Sequence, residues 1–152
     1  MRKDELKDLI DLFLKILHLY SVINRKPKDY GTGDLLYLTE IHTIRIVAEN
    51  EKLNMTSLAR IMGVTRGAIS QTIRKLVAKN YIIRENTSNM KEFSLRLSEK
   101  GRIVFQGQEN FRKELFSFAE TLYDQAKPSD RDLVKRLFIA ISGNMEERIK
   151  AL

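Results

Sequence analysis

The chain has no cysteine and no tryptophan, and it has only two histidines and two prolines. Without thiols there is neither a disulfide framework nor a thiolate metal site, and the absence points toward a reducing compartment. Long apolar runs are missing too. The start, Met1-Arg2-Lys3-Asp4-Glu5, is charged, and the apolar residues that follow are interrupted by Asp8, Asp11, Lys15 and His18. That pattern gives no signal peptide and no membrane span, so the expected location is the cytoplasm, with no membrane partner. Catalytic constellations are equally absent: there is no glycine-rich phosphate loop, no clustered carboxylate pair in a plausible cleft and no nucleophile beside a histidine. The expectation is a protein that is not an enzyme and carries no cofactor.

What is present is an ordinary globular balance: 152 residues, 43% apolar and 31% charged, enough for one domain with a real core. The charge is unevenly placed. Met55 to Arg102 holds ten basic residues (Arg60, Arg66, Arg74, Lys75, Lys79, Arg84, Lys91, Arg96, Lys100, Arg102) against three acidic ones (Glu85, Glu92, Glu99). That segment accounts for the whole net charge of +7. A basic block inside an otherwise neutral protein suggests a surface facing a polyanion, because neutralised phosphates release condensed counterions; a solvated positive face with no partner would carry the same charge.

Periodicity predicts a mainly α fold with a small β-hairpin. Leu6, Leu9, Ile10, Phe13, Leu17 and Tyr20 recur at helical spacing over residues 4–24, while Leu12, Leu14, Ile16 and Leu19 fall off that stripe. A helix apolar on several faces must bury several faces. Pro27 to Leu38, with Gly31 and Gly33, reads as an irregular connection. Thr39 then offers a cap for a helix to about Asn50, with Ile41, Ile44, Val47 and Ala48 inward. A short helix from about Thr56 to Met62 would pack Leu58, Ala59 and Ile61. Gly63 supplies a helix stop, and Thr65 caps a second helix, Arg66 to about Lys79, that buries Ile69, Ile73, Leu76 and Val77. This is the local pattern of a helix-turn-helix, over about 54–79. Tyr81 to Arg84 and Glu92 to Leu97 alternate as strands around the turn residues Asn86-Thr87-Ser88-Asn89. Ser98 caps a long helix whose seam, Val104, Gln108, Phe111, Leu115, Phe118 and Leu122, steps by four and three. Pro128 and Ser129 start a last helix with Leu133, Leu137, Ile141 and Met145 inward.

The second helix of the motif leaves Arg66, Gly67, Ser70, Gln71, Arg74 and Lys75 outward. Arginine pairs bidentately with guanine and glutamine with adenine, and Gly67 and Ala68 permit close approach to a groove. Thr56 and Ser57, opening the preceding helix, suit a phosphate, and Thr65 and Arg84 are assigned to the same surface. A helical hairpin that merely packs in a core would explain the apolar stripe but not this exposed polar set. Arg66 and Arg74 are expected to touch base edges. Lys75 and Lys91, for which the sequence shows no partner, are expected on phosphate.

Leu38-Thr39, the run LAxxxGVTRGAISQxIxKL, the turn Asn80-Tyr81-Ile82 and the closing LxLSEKG come in an order that resembles the MarR family over nearly the whole chain. The resemblance implies a winged helix-turn-helix lobe (39–97, wing 81–97) with dimerisation helices at 4–24 and 98–150. It implies a homodimer gripping double-stranded DNA as a transcription regulator, a ligand-responsive repressor on a near-palindromic operator. Leu6, Leu9, Phe13, Leu17, Phe111, Leu115, Phe118, Leu137 and Ile141 would form the dimer interface, in keeping with the many-faced first helix. It further implies a pocket for a small-molecule effector, to which Tyr20, Tyr37 and His42 are assigned, with Tyr30 near by; ordinary core and rim aromatics remain the simpler reading. The wing departs from the family: Asn89, Met90 and Lys91 stand where Asp-x-Arg is usual, so the cation is kept but the ion pair that orients it is lost.

His18 and His42 would need carboxylates such as Glu40 or Asp11 to hold a metal. On different helices they read more simply as satisfied polar groups, and no metal site is assigned. The alternatives are a winged-helix protein-interaction module without DNA binding, and a metal-responsive regulator of the same fold.

Overall fold

A computed structural model describes residues 2–50, 53–86 and 93–151. The elements run α1 (Arg2–Asn24), α2 (Leu38–Glu49), α3 (Met55–Met62), α4 (Arg66–Ala78), β1 (Ile82–Asn86), β2 (Phe93–Leu97), α5 (Glu99–Gln125) and α6 (Pro128–Lys150). The strands pair antiparallel, with Ile82 opposite Leu97 and Arg84 opposite Leu95. By contacts the chain forms two compact units, residues 1–108 and 109–152.

The core of the first unit joins one apolar stripe from each of several elements. Leu36 precedes α2, which contributes Ile41, Ile44, Ile46 and Val47; α3 adds Met55, Leu58 and Ala59, and α4 adds Ile69, Ile73 and Leu76. Leu53 ahead of α3, Tyr81 in the turn after α4, Ile82, Leu95 and Leu97 from the hairpin and Val104 from α5 complete it. Truncating a member such as Ile73 to alanine would cost about 2–5 kcal/mol through lost burial and the cavity left behind.

Several expectations meet corrections here. Helix α2 starts at Leu38, so Tyr37, not Thr39, is its N-cap; the Glu40 carboxylate reaches back to accept the Tyr37 N–H at 2.9 Å. Ala48 is exposed and Thr43 takes an inward place, donating its hydroxyl to the Thr39 carbonyl at 2.7 Å. Ile61 is 54% exposed: on a helix of eight residues the Met55, Leu58 and Ala59 stripe faces the core, and Ile61 falls to one side of it. Val77 likewise lies at the margin of the α4 stripe and is exposed. The first strand begins at Ile82, because Tyr81 belongs to the turn before it.

That turn and the LxLSEKG segment fit each other. Asn80 adopts the left-handed conformation, φ 60°, that ends α4, and the Tyr81 N–H returns to the Leu76 carbonyl at 2.8 Å. Ser98 caps α5 by accepting the Gly101 N–H at 3.1 Å, and its hydroxyl donates to the Asn80 carbonyl at 2.5 Å. Gly101 is required because a Cβ there would collide with the Tyr81 carbonyl oxygen. Lys100 reaches Asp34 at 2.7 Å across the ring of Tyr81, whose hydroxyl also donates to Asp34 at 2.9 Å. The segment between α1 and α2 is thereby clasped to the hairpin corner. Asp29 shapes that segment by accepting the N–H groups of Gly31, Thr32 and Gly33.

Helix α1 contributes nothing to this core: Leu6, Leu9, Leu12, Leu14, Ile16 and Leu19 are all exposed. In the second unit Pro128 occupies the first turn of α6, and Arg131 donates to the Ala126 and Asp124 carbonyls at 3.0 and 2.8 Å, satisfying the end of α5. Phe118, Leu122, Leu133 and Leu137 are exposed on these helices. Among the described residues no helix is long and apolar enough to cross a membrane.

Candidate nucleic-acid interface

Helix α3 is capped by Asn54, whose side chain accepts the Ser57 N–H at 2.9 Å, a cap that the reading from Thr56 missed. It stops at Gly63, which takes φ 63° and ψ 30°, and Val64 returns its N–H to Ala59 at 3.1 Å. Thr65 then caps α4 through the Ala68 N–H at 3.2 Å. Both helices are therefore fixed locally, and burial of Leu58 and Ala59 against Ile69 and Ile73 fixes α4 on α3.

With that stripe inward, Arg66, Gly67, Gln71 and Arg74 are exposed and Ser70 is half-buried. Among the described residues neither Arg66 nor Arg74 is held in an ion pair, so their guanidinium groups remain available to an outside partner. Thr56 is exposed in the first turn of α3, while the Ser57 N–H is taken by Asn54 and the Thr65 hydroxyl by its own helix. On the hairpin Arg96 pairs with Glu85, its diagonal neighbour on the same face, and Arg84 is exposed. Lys91, with Asn89 and Met90, lies outside the described residues.

Lys75 differs from the sequence expectation in having a partner. Its ammonium stands 3.0 Å from Glu40 Oε1, and Glu40 is only 4% exposed. Tyr37, Thr39, Gln71 and Thr72 complete a cleft of about 300 Å³ around the pair.

The residues assigned to an effector pocket do not gather in one place. Tyr37 belongs to the cleft just described. Burial first, and then the neighbouring Tyr20, push the Tyr30 hydroxyl above its ordinary range. Tyr30 packs on Gly107, where a Cβ would come 2.6 Å from its ring. His42 is half-buried; burial first, and then Arg45, holds it below the usual imidazole range. Among the described residues no three carboxylate or imidazole side chains converge as a metal site would need. Of the dimer set, Leu6, Leu9, Leu17, Phe118 and Leu137 are exposed, and Phe13, Phe111, Leu115 and Ile141 are half-buried.

Known proteins agree with this architecture. A sequence model of the MarR family matches residues 36–92. The HTH-type transcriptional regulator YhjH of Bacillus subtilis (strain 168) is 24% identical over 145 residues, covering 87% of this chain and 83% of its own length. Among solved structures, Streptococcus pneumoniae FabT in complex with DNA superposes with a TM-score of 0.69 at 18% identity, over 97% of this chain and 99% of FabT. Lactococcus lactis ZitR in complex with DNA gives 0.68 at 16% identity, over 92% of this chain and 97% of ZitR.

Proposed function

From the match of residues 36–92 to the MarR family, together with the geometry, we infer that the chain is a regulator of that family, a sequence-specific, double-stranded DNA-binding transcription regulator. The observation that carries the reading is the outward face of α4, where Arg66, Gly67, Gln71 and Arg74 stand exposed opposite a fully buried stripe. A helix held only to bury Ile69, Ile73 and Leu76 needs no such set, whereas a major groove uses each member: two forks for guanine, an amide for adenine and a glycine for close approach. The basic block supports it, since most of its cations lie on α4, the hairpin and the start of α5. FabT and ZitR, of the same fold, have been solved on DNA.

The proposed working form is a homodimer in the cytoplasm. Helix α1 exposes leucine and isoleucine on several faces, far more apolar surface than a monomer leaves in water, and the helices of residues 109–152 expose Phe118, Leu122, Leu133 and Leu137. Two-fold pairing of these helices would present two copies of α4 to one duplex. Ligand-responsive repression is the form of the activity that the family resemblance carries.

Selection of bound duplexes from a random pool by the purified protein tests the reading. The expected product is one enriched, near-palindromic site. A pool that stays random, or binding that does not weaken with salt, would overturn it.

A further inference from the structure

Glu40 and Lys75 form an ion pair that bridges α2 and α4. Glu40 Oε2 accepts the Tyr37 N–H, which fixes the carboxylate at the start of α2. Its other oxygen, Oε1, is sealed from solvent and meets no hydrogen-bond donor in good alignment among the described residues; what faces it is the Lys75 ammonium at 3.0 Å. The two side chains are unequally placed, since the lysine is 55% exposed and the carboxylate 6%. A buried carboxylate cannot recover its lost hydration elsewhere, so it needs this cation more than the cation needs it.

We propose that Glu40 is a positioning residue that holds the Lys75 charge within the lobe, so that this lysine, although it lies on the recognition helix, adds nothing to phosphate neutralisation. The proposal rests on reading α4 as the DNA-facing helix. Two consequences follow from the geometry. The pair contributes no net charge to the DNA-facing surface, which leaves Arg66 and Arg74 as the α4 cations open to DNA. The pair also ties α4 to the first turn of α2, at the margin of the cleft where Gln71 and Thr72 lie, and so steadies the helix that carries the reading residues.

The test is the salt dependence of binding to a mixed-sequence duplex of about three helical turns, roughly 30 base pairs, where affinity is electrostatic and each phosphate contact contributes about 0.9 to the slope of log K against log salt. Three proteins are compared: wild type, Glu40→Gln, and Glu40→Gln with Lys75→Met. Glutamine keeps the acceptor for Tyr37 while removing the charge that holds the lysine. The double variant leaves no uncompensated charge behind, and circular dichroism melts confirm that each protein is folded.

The expected result is a slope steeper by about one unit for Glu40→Gln, as the freed ammonium gains a phosphate, and a return to the wild-type slope in the double variant. A purely structural pair would change the melts and leave the slopes alone, and that outcome overturns the proposal. So does a double variant whose slope is flatter than wild type by a unit, because Lys75 would then have been on phosphate from the start. Wild type that shows no salt-dependent binding would instead overturn the DNA reading on which the proposal stands, a result distinguishable from either of the others.

Discussion

Asn80 occupies a backbone position that favours glycine. At φ 60° a β-carbon crowds the following carbonyl, and asparagine is among the few other residues that tolerate it. Asn80→Ala should therefore destabilise the protein by about 1–2 kcal/mol, while Asn80→Gly should leave stability unchanged or raise it; chemical denaturation of the three proteins decides. Asp34 permits a second test. The hydrogen bond from Lys100, and then that from Tyr81, hold its carboxyl below its ordinary 3.8, so the folded state favours the ionised form. For a depressed carboxyl the associated stability is present above the unfolded value and is lost as pH falls through it toward the lower folded value. Denaturation midpoints of wild type and Asp34→Asn should accordingly differ at pH near 6 and converge below 3.8. A gap that stays constant across that range would show the clasp to be indifferent to the charge on Asp34.

At the scale of elements, α4 is the most informative piece. Its buried stripe and caps set its orientation, so the contribution of each outward residue can be measured on a stable scaffold. Replacing Arg66 or Arg74 with alanine should weaken binding to the selected site by about 1–3 kcal/mol and relax preference at one base position, because a bidentate guanidinium reads a single guanine. Fluorescence anisotropy against the site and its single-base variants measures both effects. If each variant bound the site and its variants as wild type does, another element would have to be the reader. The stretch 82–97 shows how an element can be assigned from pattern before its contacts are known: alternation and turn residues identify the hairpin, whereas the Glu85 to Arg96 pair emerges only once the register places them side by side.

For the whole molecule, the prominent fact is how much apolar surface one chain exposes. Residues such as Leu6, Leu12, Ile16, Phe118 and Leu133 each stay exposed, and surface of this extent in water drives association. Sedimentation at micromolar concentration should give a dimer, and a chain lacking residues 1–24 should aggregate or fail to fold. Two recognition helices about one turn apart, roughly 34 Å, then require half-sites with that spacing, which the selected sequences will display. A stable monomer that binds a single half-site with full affinity would refute the dimer and the symmetric operator together.

The helix-turn-helix was legible because its determinants are local. Gly63, Thr65 and the spacing of Leu58, Ala59, Ile69, Ile73 and Leu76 act within a few residues of one another, and helical periodicity alone assigns their faces. The same holds for the uneven charge and for the apolar excess of residues 4–24, both of which are properties of the chain before it folds. The breadth of each buried face was not legible. Ile61, Val77 and Ala48 sit at the margins of their stripes, and only the approach of neighbouring helices decides whether a margin is covered. Nor could the sequence pair Glu40 with Lys75, or bring Asp34 to Lys100 and Tyr81, since ion pairs between remote residues depend on how elements meet. Periodicity fixes which way a side chain faces along its own helix, but only tertiary packing determines which distant charge it faces there.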